Sequence, residues 1–300
     1  MRQAFVVPFT SDLEFVELAE LAEARGWDAV LSWEAVYRHD AWALLAAAAV
    51  RTSRIRLGTL ITPVARYRPW DLAQSVATVD RLSGGRVVLG VGLGAVNANW
   101  RSFEPDLGRA TRARQVDEGL EVYAGLLAGQ PYEYQGEFWS VRPVTELAPT
   151  APVQRPHPPV WVVGALVPGR ERQLSLERAA RWQGVFPALV GDAEGSSGLT
   201  LDALGEIVER LRTLRSEAGL PWEGYDVVVE GDSHGDFGDV HGSPEPWAAA
   251  GATWWVESWW DLPEGPQGVA ELRRRVELGP RQFGGQLGGR PSGPPSQAAT

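Results

Sequence analysis

The sequence predicts an α/β fold, a closed (β/α)8 TIM barrel, on three observations. Short apolar strand runs alternate with helical runs from the start of the chain to about residue 278. The strand runs lack strict apolar/polar alternation, as expected of a parallel sheet buried on both faces. Eight strand and helix pairs can be counted, whereas a doubly wound sheet usually has about five or six parallel strands. With 300 residues, 44% hydrophobic and 22% charged, the chain can bury one large core. We therefore expect a single barrel domain over residues 1–278 and a disordered Gly-, Pro- and Ser-rich tail over 279–300.

The elements follow in order. RQAFVVPF is the first strand, closed by Pro8. Ser11 and Asp12 cap a helix in which Leu13, Val16, Leu18 and Leu21 are apolar and which Gly26 stops. WDAVLSW is the second strand, Asp40 caps the helix AWALLAAAAVRTS, and IRLGTLIT is the third strand. The third helix has Pro69 at its start and Gly84 and Gly85 at its end, the asymmetry that helices show. VVLGVGLG is the fourth strand, followed by the helix ATRARQVDEGLEVYAGLLAG. A Pro-rich insertion, residues 129–159, separates helix four from strand five and contains a hairpin around Gln135-Gly136. The repeat resumes with PPVWVVGA and LSLERAARW, then GVFPA and LDALGEIVERLRTLRSEAG, then YDVVVEG, then ATWWVES and GVAELRRRVEL.

Composition removes whole classes of chemistry. The net charge of −10 argues against a nucleic-acid partner, and Arg273 to Arg275 fit a solvated helix face. Without cysteine there is no disulfide, thiolate metal site or cysteine nucleophile. Lysine is also absent, which excludes Schiff-base aldolases, pyridoxal-phosphate enzymes and a P-loop. The first residues do not form a secretory signal, and no apolar stretch is long enough to span a bilayer, so a soluble cytoplasmic protein without a membrane partner is expected.

A barrel of this type carries its site where the strands end. Those ends are Pro8 and Phe9; Ser32, Trp33 and Glu34; Thr59 to Pro63; Gly92, Gly94 and Asn97; Gly164 and Ala165; Phe186 and Pro187; Glu230 and Gly231; and Glu257 to Trp260. This apolar, aromatic and glycine-rich lining suits a flat conjugated hydride carrier. Trp33 and Trp260 can flank such a ring, although core or surface packing is the plainer account of any single Trp. GVGLGA (90–95) has the spacing G-x-G-x-G, with Trp100 and Pro105 following where a dinucleotide fold would place a helix. Glu34 is the leading candidate acid or base, the alternative being a loop carboxylate paired with Arg38. His39 is a second candidate donor, or a loop residue capping the second helix. Asp232, His234, Asp236, Asp239 and His241 could bind a divalent metal, which keeps a metal-dependent barrel hydrolase or isomerase as the rival reading. Several other strand ends, however, lack ligands, so no metal is expected.

AELAEARGWDAVLSWE, TSRIRLGTLITPV, RPWDLAQSVATVDRLSGGRVVLGVGLG, RARQVDEGLEVYAGLLAG with YQGEFWSV, and PPVWVVGA with ERAARWQGVFP together resemble the luciferase-like monooxygenase superfamily over residues 2–257. The resemblance implies FMN or coenzyme F420 as cofactor, an oxidoreductase or monooxygenase activity on an apolar small molecule, and a flavin reductase or an F420-reducing partner. It is compatible with a homo-oligomer. It implies a non-prolyl cis peptide near Leu60-Ile61, within Thr59 to Thr62, backing the cofactor ring. It places the cofactor phosphate near Gly94, Asn97, Gly164, Ala165 and Arg170, with Gly92 beside it and Arg109 and Arg112 as weaker candidates. Four positions depart from the family pattern. Trp33-Glu34 replace an Asp-His pair, Ala95 replaces an acidic residue, Gln183-Gly184 replace Asp-Gly, and the turn after strand five lacks its Ser or Thr. Two outcomes are open: a retuned pocket, or a catalytically weakened cofactor-binding subunit.

Overall fold

Eight parallel strands close on themselves in the computed structural model, which describes residues 1–144, 146, 150–191, 196–233 and 242–281. They are β1 (Arg2–Val6), β2 (Ala29–Ser32), β3 (Arg56–Thr59), β4 (Val87–Gly92), β5 (Val160–Leu166), β6 (Gly184–Val190), β7 (Asp226–Gly231) and β8 (Trp254–Ser258). Each pairs with the next, and β8 returns to β1 with Val256 opposite Ala4, so the sheet has no free edge. Around it run α1 (Asp12–Arg25), α2 (Ala41–Arg51), α3 (Pro69–Ser83), α4 (Arg109–Ala128), α5 (Leu174–Ala179), α6 (Leu201–Glu217), α7 (Pro244–Ala249) and α8 (Pro266–Leu278). None of the described helices is long and apolar enough to cross a membrane.

Local chemistry sets the helix ends. Ser11 and Glu14 form a reciprocal capping box at the start of α1, and Gly26 ends it in the left-handed region at φ 85°. Asp40 accepts the Ala43 N–H at 3.0 Å to start α2. The buried stripe of α1 is Phe15, Leu18, Ala19 and Ala22, an i, i+3, i+4, i+7 set, and Leu13 lies off it at 77% exposure.

The structure corrects the predicted elements in three places. The third strand is not continuous: it stops at Thr59, the Leu60-Ile61 peptide is cis, and pairing resumes at Thr62–Pro63 against Val91 and Gly92. Short helical turns occupy 96–103, with Asn99 at φ 63°, where no helix was expected after the fourth strand. α7 was not foreseen, because a six-residue helix opening Pro-Glu-Pro gives too little periodic signal. The predicted hairpin is present, Tyr134–Gln135 pairing with Ser140–Val141, and the Glu118 carboxylate accepts the N–H groups of residues 137–139 at its tip. At the predicted tail, Arg281 still exchanges backbone hydrogen bonds with the Gln3 amide, while 282–300 lie outside the described residues.

Alternation along each strand separates two cores. Val160, Val162, Val185, Val227 and Val229 face the helices, whereas Trp161, Phe186, Val228, Trp254 and Val256 fill the barrel. Trp161 meets Trp254 at 5.1 Å and Phe186 at 5.7 Å, both edge-on. Its indole N–H donates to Asp226 at 3.1 Å, and the Arg2 guanidinium pairs with Asp226 while lying over Trp254. The interior is thereby plugged toward the N-terminal end, leaving the C-terminal end for a ligand. Gly90 lies where this filling is tightest, since a Cβ there would stand 2.0 Å from the Thr59 carbonyl oxygen and 2.9 Å from Phe186. Gly90→Ala is expected to destabilise the protein by about 1–3 kcal/mol through overpacking. Urea denaturation would measure this, and a neutral result would show that the barrel interior yields more easily than its packing indicates.

Candidate active site

The same alternation, carried to the C-terminal rim, turns Trp33, Val163, Glu230, Ser258 and Trp260 inward. Trp33, Ile61, Val163 and Trp260 pack on the interior core yet stay partly exposed, forming an apolar floor. Trp33 and Trp260 meet edge to face at 5.6 Å, and Phe9 lies edge-on to both. The Trp33 indole N–H donates to the Pro8 carbonyl at 2.6 Å, which fixes the ring. Arg38 covers Phe9 at 4.8 Å and pairs with Glu264 at 3.5 Å.

Glu34 follows Trp33. Its Oε1 lies 2.6 Å from the Thr62 hydroxyl, and its Oε2 accepts the Tyr67 hydroxyl at 2.9 Å. Thr62 also lies 3.0 Å from the Thr59 hydroxyl, which donates to the Gly90 carbonyl at 2.9 Å. Proton counting limits how this chain is filled. The Gly90 carbonyl only accepts, so Thr59 donates to it, and the single Thr62 proton faces two acceptors, Glu34 Oε1 and the Thr59 hydroxyl. An ionised Glu34 draws the Thr62 proton to itself, whereas a proton on Glu34 relieves the competition.

Electrostatics agrees with that count. Although Glu34 is partly exposed as a residue, its carboxyl is densely surrounded. Desolvation pushes it up to about 7, against the opposing pull of the Thr62 and Tyr67 hydrogen bonds and the Arg66 charge. Burial and the adjacent Glu34 hold the Tyr67 phenol far above its ordinary range, so it remains a donor. The exposed side of Glu34 opens on a cleft of about 450 Å³ shared with Arg38, His39, Arg66 and Tyr67. A larger cleft, about 620 Å³ between residues 171–177 and α6, is lined mainly by charged side chains, of which Arg172 pairs with Glu177, and it shares no residue with the Glu34 cleft.

Glu230, at the end of β7, is a second inward carboxyl. It accepts the Ser258 hydroxyl at 3.0 Å and the Trp260 indole N–H, and burial pushes it upward.

The remaining candidates divide. Thr59 and Thr62 meet Glu34, and Leu60 and Ile61 join the floor region. A Cβ on Gly92 would strike Ile61 at 2.4 Å, and Gly94, at φ 83°, is roofed by Trp100 and Pro63. Asn97 is exposed on the helical turn, and Arg170 is exposed in the turn after β5. Gly164 faces outward against Val185 and Leu176, away from the mouth. The Ala165 N–H and C=O are both engaged by the Ser175 hydroxyl. His39 shares the cleft with Glu34, but its ring nitrogen is held by Asp12 at 2.8 Å. Arg109, the first residue of α4, is exposed. Arg112 is buried and paired with Asp106.

Sequence reasoning assigned no role to Tyr67, Trp100 or Glu230. Strand parity from Val228 could have found Glu230, whereas Tyr67 and Trp100 gave no local signal. Trp100 Nε1 and Arg112 Nε are buried without partners, 5.7 Å separating the guanidinium from the ring. These donors beyond β4 and the apolar floor together fit a planar carrier with an anionic tail. Of the proposed metal-binding set, Asp232 is buried and pairs with Arg275 at 3.5 Å, and His234, Asp236, Asp239 and His241 lie outside the described residues.

A sequence profile described as luciferase-like monooxygenase matches residues 13–234. The oxygenase component of the flavin-dependent trigonelline monooxygenase of Acinetobacter baylyi is 28% identical over 186 residues, 60% of this chain and 50% of that protein. The F420-dependent glucose-6-phosphate dehydrogenase of Segniliparus rotundus is 35% identical over 142 residues, 42% of this chain and 41% of that one. The chain thus spans about half or less of the length of these curated relatives. The coenzyme F420-dependent tetrahydromethanopterin reductase of Methanopyrus kandleri shares the fold, with a TM-score of 0.70 at 20% identity over 92% of this chain and 96% of that one.

The raised carboxyl of Glu34 has a consequence for stability. Its folded value of about 7 exceeds the ordinary 4.5, so its contribution is fully present below about pH 4.5 and is lost as pH rises through about 7. Glu34→Gln should therefore gain stability relative to the natural protein between about pH 5 and about pH 8. Paired denaturation curves would show this, and a constant difference across the window would contradict it.

Proposed function

Because the chain belongs to the luciferase-like monooxygenase family, we propose that it is a two-electron oxidoreductase acting on an apolar organic substrate at the barrel mouth, with FMN or coenzyme F420 as carrier. The observation that supports this reading is a carboxyl pushed up to about 7, Glu34, hydrogen-bonded to Thr62 and Tyr67 at a barrel rim whose inward positions form an aromatic floor. When bound, the carrier supplies the hydride or, as reduced FMN, the activation of oxygen.

Each residue then has a defined task. Trp33, Ile61, Val163 and Trp260 bind apolar surface and exclude water. Trp100 and Arg112 offer N–H donors to an anionic tail. Glu34 keeps its proton on the carboxyl next to Thr62 until the substrate's developing charge calls for it, and Tyr67 and Thr62 stabilise the carboxylate that remains. The cleft shared with Arg66 lets Glu34 recover its proton from solvent while the mouth is covered. Glu34 thus supplies the acid function that the missing Asp-His pair would have performed. A separate reductase partner follows from the need to recharge the carrier, as the name of the Acinetobacter baylyi oxygenase component implies for that protein.

Titrating the protein with FMN and with oxidised and reduced F420, following Trp emission, should give saturable binding of one carrier. Trp33→Ala should weaken that binding roughly three- to tenfold by removing the ring contact. Glu34→Gln should leave binding in place and lower turnover by about a hundredfold or more. Failure of both carriers to bind, or full turnover by the Gln variant, would count against the assignment.

A further inference from the structure

The mouth is divided by charge. The segments after β2, β3, β4 and β5 carry arginines, among them Arg38, Arg66, Arg101 and Arg170, with Arg112 in the first turn of α4, whereas no arginine or lysine occurs between Arg215 and Arg273. β7, β8 and their loops fall in that stretch. Arg38 and Arg275, which approach this side, are paired with Glu264 and Asp232.

On this cation-poor side stands Glu230. Strand parity turns it inward above Val228, and Ser258 and Trp260, inward on the neighbouring strand, hold its carboxyl. Trp260 in turn meets Trp33, the residue before Glu34. Glu230 thus stands against one member of this aromatic pair, and it has no part in the proton chain of Glu34.

An anionic group brought to this side would lose its hydration next to an acid, with no arginine or lysine in the sequence of β7, β8 or the segments that follow them up to residue 272, which is costly. A carbonyl oxygen, by contrast, accepts from a carboxylic acid, and a hydroxyl exchanges a hydrogen bond with it. Building on the oxidoreductase reading above, we propose that Glu230 selects the substrate. Its carboxyl hydrogen-bonds the oxygen of an uncharged carbonyl or hydroxyl group on an otherwise apolar molecule, and the surrounding rim turns anionic substrates away. Burial, which favours the neutral form of Glu230, supports the donor role. Phosphorylated sugars and carboxylates are therefore outside its substrate range.

The test uses the full chain, both free and loaded with whichever carrier binds, and four probes built on one ring: cyclohexanone, cyclohexanol, cyclohexanecarboxylate and cyclohexylammonium. Trp emission reports equilibrium binding. The ketone and the alcohol should bind, with the carboxylate and the ammonium each at least about tenfold weaker, the scale of one hydrogen bond gained or lost. Glu230→Leu should weaken the ketone about tenfold, while Glu230→Gln, whose amide still donates, should stay close to the natural protein. Carboxylate or ammonium binding as tight as the ketone, no binding of any probe, or unchanged ketone affinity in Glu230→Leu would each overturn the proposal. Carrier titrations on the same samples keep the two readings apart. Loss of carrier binding defeats the proposed function, whereas carrier binding with the wrong probe preference defeats the role of Glu230 alone.

Discussion

Every feature of the mouth depends on the two-residue alternation of strands in a closed barrel. Closure of β8 onto β1 gives each strand an inside, and parity decides which side chains occupy it. Trp161, Phe186 and Trp254 fill the lower interior, so the next inward positions are lifted to the rim. Trp33, Val163, Glu230 and Trp260 are those positions. A one-residue slip in β7 would turn Glu230 toward the helices and bring Val229 inward. The break at Leu60-Ile61 is the exception to regular alternation, and it brings Ile61 to the floor and Thr62 to Glu34.

The acid follows from that frame. A carboxyl placed on an apolar rim loses hydration, and its protonated form becomes the cheaper one. Thr59, Thr62 and Gly90 then act as a row of hydrogen-bonding groups that is complete when Glu34 carries its proton. This arrangement gives a physical sense to the replacement of the Asp-His pair by Trp33-Glu34. The tryptophan joins the apolar floor, and the carboxyl after it is raised by burial beside Thr62 and Tyr67.

The barrel was legible because its signals are local and repeated: Ser11 and Gly26 around α1, Pro69 and Gly84 around α3, and apolar runs in between. The cis peptide at Leu60-Ile61 was also within reach through family resemblance, and the place of Glu34 at the rim through its position at a strand end. What escaped were relations between distant segments. Tyr67 meets Glu34 across 33 positions in the chain, and Trp100 closes over Gly94 by a kinked helical turn that no periodicity announces. Gly164 and Ala165 lie differently from a flat reading of the strand end. One faces the helices, and the other is already bonded to Ser175.

The central claim is that its surroundings push the Glu34 carboxyl up to about 7, so that it still carries a proton far above the ordinary carboxylate range. Carbon-13 NMR of glutamate-labelled protein, with the Glu34→Gln spectrum assigning the signal, follows that carboxyl directly as pH is changed. The account requires a titration midpoint of about 7, and a midpoint at the ordinary 4.5 would contradict it.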